Sequence, residues 1–179
     1  MNHQDHVHLL RKGISQAGGI WADLGAGAGA FTLALADLLG PTGRIYAIDK
    51  DRSSLQQLER RMQIQFPETQ VEYVQADFTY PLKLPPLTGI VMANSLHFVR
   101  KKDAVLQKVR QYLQSSPPQT AGRLVLVEYN ADRGNPWVPY PLSYPTWEAL
   151  AYRNGFTEVQ FLESVPSSFL KEIYSALAL

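Results

Sequence analysis

Residues 21–40 read WADLGAGAGAFTLALADLLG. Three glycines, Gly25, Gly27 and Gly29, lie between a short apolar run and a segment rich in alanine and leucine. Glycine permits a sharp turn and lets a ligand come close to the backbone. A helix that begins just after such a turn presents unpaired N–H groups to whatever lies above it. The stretch therefore reads as strand, turn and helix. GIWADL (19–24) is the strand, and AFTLALADLLG (30–40) is a buried helix, apolar nearly all round and stopped at Gly40-Pro41. Taken alone the loop is ambiguous, because Gly25-x-Gly27-x-x-Ala30 also fits the fingerprint of dinucleotide-binding folds.

The alternation continues outward from this point. Strands are expected at 44–49, 71–75, 90–94 and 123–129, and helices at 53–66 and 103–113. The stretches 80–89 and 115–122 read as a proline-rich loop and a surface turn. Residues 130–145, NADRGNPWVPYPLSYP, have four prolines and no periodicity, and are expected to be either a lid or a packed connector. A helix at 146–155 is followed by two strands, 156–164 and 169–179, spaced for an antiparallel hairpin. Before the first strand lies a short arm, 1–18, with room for one helix around residues 6–14. Five β-α alternations and a terminal hairpin predict a single domain over 1–179. Its fold class is α/β, a three-layer α/β/α sandwich on a Rossmann-like, mostly parallel seven-stranded sheet with one antiparallel strand.

Composition narrows the function classes. With 45% apolar and 18% charged residues, the 179-residue chain can fill one well-packed core. A net charge of +1 gives no general basic field, so nucleic acid is not an expected partner. Arg100-Lys101-Lys102 is read as a solvated helix entrance. There is no cysteine, which removes disulfides, thiolate metal sites and cysteine nucleophiles. No apolar run approaches the roughly 20 residues of a membrane span, and the polar N-terminus does not resemble a secretory signal. A cytoplasmic protein is expected. His3, His6 and His8 are not spaced for a metal site, so no metal is expected.

In sheets of this kind ligands bind beyond the carboxyl ends of the strands, where the strand order reverses. The second strand ends at Asp49, about 20 positions past the glycines, where a carboxylate can accept from both ribose hydroxyls. The third ends in QADFT, where Asp77 can accept from an adenine amino group while Phe78 covers the ring. The fourth ends in ANSLHFV, where Asn94, Ser95 and His97 would face the reactive part of a ligand. His97 reads either as a base that orients an acceptor or as a helix-entry residue packed on the sheet.

With these residues in place the chain resembles the class I S-adenosylmethionine-dependent methyltransferases, in their small-molecule branch. WADLGAGAGAFT, IYAIDKD, VQADFT and GIVMANSLHFV are similar to four of that family's motifs, in order, at four consecutive strand ends. The resemblance runs over residues 18–179 and implies S-adenosyl-L-methionine as cofactor. It implies that Gly25, Ala26, Gly27 and Gly29 pass under the methionine part and that Asp23 positions its amino group or the loop. Asp49 would hold the ribose with Lys50 nearby, and Asp77 and Phe78 the adenine. Asn94 and Ser95 would border the sulfonium. His97, Tyr129, Asn130 and Tyr140 of the 130–145 loop would shape the acceptor pocket. Methyl transfer by in-line displacement needs alignment above all; a phenol or acid with a pKa below about 8 needs no base, and for an alcohol His97 is the candidate.

The departures are informative. Asn94 is followed by Ser-Leu-His and not by Pro-Pro-Tyr, which disfavours exocyclic-amine methylation, and the absence of cysteine disfavours arsenic methylation by the known route. The short arm leaves closure to the 130–145 loop, to a bulky acceptor or to a second subunit in a homodimer. Two other classes stand beside an enzyme acting on a small-molecule acceptor: a non-catalytic binding or assembly module on the same fold, and an NAD(P)-dependent oxidoreductase. Asp23 disfavours the latter, since a small apolar residue is usual there. Tyr46-x-x-x-Lys50 has a dehydrogenase-like spacing and is read as chance.

Overall fold

A computed structural model describes residues 1–114 and 122–179. The expected turn at 115–122 lies, apart from Gly122, outside the described residues. Seven strands form one sheet: β1 (Gly19–Leu24), β2 (Gly43–Asp49), β3 (Gln70–Gln75), β4 (Gly89–Ala93), β5 (Arg123–Tyr129), β6 (Val159–Ser167) and β7 (Lys171–Ala178). Their order is β3-β2-β1-β4-β5-β7-β6. Strands β1 to β5 pair in parallel, and β7 runs antiparallel to both β5 and β6. The order reverses between β1 and β4, so a crevice opens there at the strands' carboxyl ends.

Alternation along the central strands divides the core into two layers. Trp21, Ile45, Val91, Val125 and Val127 face a layer with α1 (His3–Arg11), α2 (Ala30–Leu39) and α3 (Arg52–Gln65). Ala22, Leu24, Ile48, Met92 and Leu126 face the other, with α4 (Asp103–Gln114) and α5 (Tyr144–Arg153). Helices on both faces explain why β4 is buried at every position. The sequence predicts this three-layer sandwich and its antiparallel strand, and the structure has both.

The arm before β1 is not loose. Asn2 and Asp5 form a reciprocal capping box that starts α1 at His3, three residues ahead of the expected helix. Lys12 and His8 then reach Glu163 of β6 at 2.6 and 3.3 Å, and His3 reaches Asp37 of α2 at 3.1 Å. His6 packs on the Phe31 ring. Among the described residues no cluster of three His, Asp or Glu side chains is placed to hold a metal ion.

Candidate active site

The glycine loop is built from the backbone outward. The N–H groups of Gly25 and Ala26 donate to Ile48 O of the neighbouring strand, at 2.8 and 3.0 Å. Gly27 N donates to Asp49 Oδ2 at 2.8 Å, so the second strand's terminal carboxylate is tied to the loop itself. Its other oxygen, Oδ1, accepts from Asp51 N at 2.8 Å. Ser95 Oγ donates to Leu24 O at 2.7 Å and so fastens the end of β4 to the end of β1. Arg61 of α3 donates to Ala28 O at 2.7 Å from the far side.

Above this loop, at the reversal point, lies a cavity of about 460 Å³. Gly25, Gly27, Asp49, Lys50, Asp77, Phe78, Asn94 and Ser95 all line it, with Ala76, Thr79, Phe98 and Val99. Four strand ends thus contribute to one wall. Asp77 Oδ1 accepts from Thr79 N and Thr79 Oγ1 at 2.8 and 2.7 Å, which closes the turn after β3. Partial burial would raise its pKa, but those two bonds and the Lys50 charge win, and the carboxyl lies below its ordinary value. Asn94 is in the left-handed region, with φ of 50°, a conformation asparagine tolerates better than most residues. Its Oδ1 is buried and has no partner, an acceptor left over beside the cavity.

Three residues expected at the cofactor lie behind the cavity wall. Asp23 is 1% exposed and accepts from Thr32 Oγ1 at 2.6 Å. Burial pushes its carboxyl up to about 7 against the pull of the Thr32 bond, with Asp49 adding a smaller push. Ala26 belongs to the core, and Gly29 is the N-cap of α2 with Leu58 packed against it. Asp23, Ala26 and Gly29 therefore shape the loop and do not line the cavity.

The residues expected around the acceptor are rearranged as well. His97 sits in a single 3-10 turn, Leu96–Phe98, and is 3% exposed. Its backbone N donates to Glu128 Oε1 at 3.0 Å, and its ring Nδ1 lies 2.8 Å from Glu128 Oε2. Glu128, fully buried near the end of β5, was not singled out from sequence. The only signal for it is a carboxylate closing a run of apolar strand residues, RLVLVEY. Because a carboxylate only accepts, the proton of a neutral imidazole here lies on Nδ1, and Nε2 is then the ring's acceptor. The His97 ring contacts Phe98 and Tyr129, with centroids 4.2 and 5.9 Å away.

The Asn130 amide is tied into the framework: Nδ2 donates to Glu172 Oε2 at 3.1 Å, and Oδ1 accepts from Tyr144 N at 3.0 Å. Tyr140 is anchored by its backbone, with N donating to His97 O at 3.0 Å and O accepting from Lys102 Nζ at 2.9 Å. Lys102 corrects the sequence reading. It is no solvated helix entrance but is 8% exposed, with Nζ also donating to Val99 O at 2.8 Å. Burial lowers its pKa, and the Glu128 charge offsets only part of that. Tyr46 lies in the core on the α4 side, consistent with a chance spacing to Lys50.

The sequence matches a family model described as a methyltransferase domain over residues 22–116, more than half of the chain. The chain belongs to this methyltransferase family, and its fold is that of the class I S-adenosylmethionine-dependent enzymes. Solved structures agree. The YcgJ protein from Bacillus subtilis has a TM-score of 0.77 at 12% identity, covering 99% of this chain and 98% of its own. A SAM dependent methyltransferase from Aquifex aeolicus has a TM-score of 0.73 at 19% identity, covering 97% and 88%. The N-terminal domain of EvdMO1 with SAH bound has a TM-score of 0.68 at 17% identity, covering 99% and 81%. This chain spans 40% of the length of the EvdMO1 chain in another matched structure. No curated protein matches the sequence.

Proposed function

We propose that this chain binds S-adenosylmethionine in the cavity at the β1/β4 reversal and directs its methyl group to a small-molecule acceptor. The supporting observation is that one cavity gathers the glycine loop, two carboxylates, an aromatic ring and an orphaned amide oxygen from four strand ends. This set of acceptors suits the cofactor, whose ribose hydroxyls, adenine amino group and cationic methionine end all donate or carry positive charge. Its volume is within the range of about 300–1,000 Å³ usual for small-ligand sites.

When bound, the cofactor supplies a methyl group on a positively charged sulfur, already activated for displacement. The chain's own residues divide the rest. Gly25 and Gly27 offer open backbone beneath the methionine part, and Asn94 Oδ1 accepts from its cationic end. Asp49 accepts from the ribose while keeping the loop closed through Gly27. Asp77 and Phe78 hold the adenine, and Ser95 fixes the floor. His97, oriented by Glu128, receives the acceptor's proton at Nε2 where the acceptor needs a base.

Calorimetry of Asp49→Asn with S-adenosylhomocysteine tests the assignment. Hydrogen bonds to a charged group are worth about 1.5–3 kcal/mol, so affinity should fall about 10- to 150-fold; the amide keeps only one of the two oxygens that Gly27 N and Asp51 N use, so the melting temperature should fall as well. Unchanged affinity would remove Asp49 from the ribose site.

A further inference from the structure

A series of five rings runs from the edge of the cavity to the 130–145 loop. Phe98 lines the cavity and is 61% exposed. The His97 ring lies 4.2 Å from it, Tyr129 a further 5.9 Å on, and Phe169, in the β6–β7 turn, 5.8 Å beyond. Trp137 of the 130–145 loop closes the series, 6.1 Å from Phe169 at an interplanar angle of 82°. Trp137 is 70% exposed and Phe169 45%. Large apolar side chains held open together, next to a built cavity, mark a binding surface. The His97 ring, whose Nδ1 is held by Glu128, is thus part of the same series and carries its second nitrogen, Nε2, into it.

We infer that these rings are the acceptor subsite and that they take a phenol, a planar aromatic ring carrying a hydroxyl. The inference rests on the methyltransferase reading and gives that site a substrate class. Two of the pairs, Tyr129–Phe169 and Phe169–Trp137, are edge-on and the two at His97 are tilted, so the series presents both faces and edges, the arrangement in which a further aromatic ring gains beyond simple burial. The imidazole lone pair at Nε2 receives a hydroxyl proton, and the nearby ammonium of Lys102 is already committed to two carbonyls. Phe98, shared by the cavity and the ring series, brings the two ligands side by side.

The structure supplies its own reporter. Trp21 and Trp147 are 2% and 0% exposed, so tryptophan emission that responds to surface binding belongs to Trp137. The protein is titrated with 4-tert-butylphenol and with its saturated counterpart 4-tert-butylcyclohexanol, with and without S-adenosylhomocysteine. The phenol should shift the emission to the blue and bind up to about tenfold tighter than the cyclohexanol. Trp137→Leu and Phe169→Leu should each lose that preference, read by calorimetry, while keeping affinity for S-adenosylhomocysteine. Equal binding of the two alcohols, or a preference that survives both substitutions, would overturn the inference. A blue shift that comes with protein concentration and a doubled mass in light scattering would also overturn it, by showing that a second copy covers the rings. Loss of S-adenosylhomocysteine binding alone counts against the methyltransferase reading and leaves the phenol comparison standing.

Discussion

Asp23 is buried behind the glycine loop, and its carboxyl is raised to about 7. An unfolded aspartate titrates near 3.9. Between those values the folded chain holds a proton that the unfolded chain has lost, so this group's contribution to stability falls as pH rises from about 4 to about 7 and is level above. Asp23→Asn keeps an oxygen for Thr32 and removes the titration. Its urea midpoint relative to the parent should climb across that window and then flatten; a constant offset would show that Asp23 is ionised throughout. Gly27 and Gly29 separate binding from folding. Both have positive φ, 52° and 89°, but a Cβ on Gly27 meets nothing within 4 Å while one on Gly29 would collide with the Leu58 side chain. Gly27→Ala should fold at a cost of about 1–2 kcal/mol and lose affinity for S-adenosylhomocysteine, and Gly29→Ala should lose more stability than Gly27→Ala. At this scale Asp49, Asp77 and Asn94 are legible because each closes a strand. Glu128 is not, because its partner His97 lies 31 residues away and only the fold joins them.

Among the elements, the 130–145 connector is held by one buried cation. Lys102 ties Val99 O and Tyr140 O together, and Ser143 N is held by Asp132 Oδ1 at 3.1 Å. Lys102→Met would leave two carbonyls without their donor, at about 1–3 kcal/mol each where they stay buried. A lowered urea midpoint and faster proteolysis within 130–145 are expected, and parent-like values of both would show that the lysine does not hold the loop. Strand and helix identities follow from periodicity, whereas their ends do not. Helix α5 begins at Tyr144, before the expected position, because Ser143 caps it and Pro145 is tolerated in the first turn. Strand β6 begins at Val159 and not at 156, because Phe156 packs against Trp147 and closes α5 through its N–H to Ala151 O. It runs on through Pro166, which an edge strand accommodates.

For the whole molecule, the order β3-β2-β1-β4-β5-β7-β6 brings residues 25, 49, 77 and 94 to one crevice although they are far apart along the chain. That convergence was readable from sequence because parallel β-α units place every strand's carboxyl end on the same side. The proposed acceptor side was readable only in part: His97 and Tyr129 were singled out, but Phe98, Trp137 and Phe169 were not, since they lie in a 3-10 turn, a proline-rich connector and a hairpin turn that share no periodicity. The central claim is that the crevice is a site for an adenosine-based methyl donor. Calorimetry with S-adenosylhomocysteine, with NADH as the comparison, tests it most directly. Micromolar, one-site binding of S-adenosylhomocysteine and none of NADH is the predicted result; no binding of S-adenosylhomocysteine, or binding of NADH in its place, would contradict it.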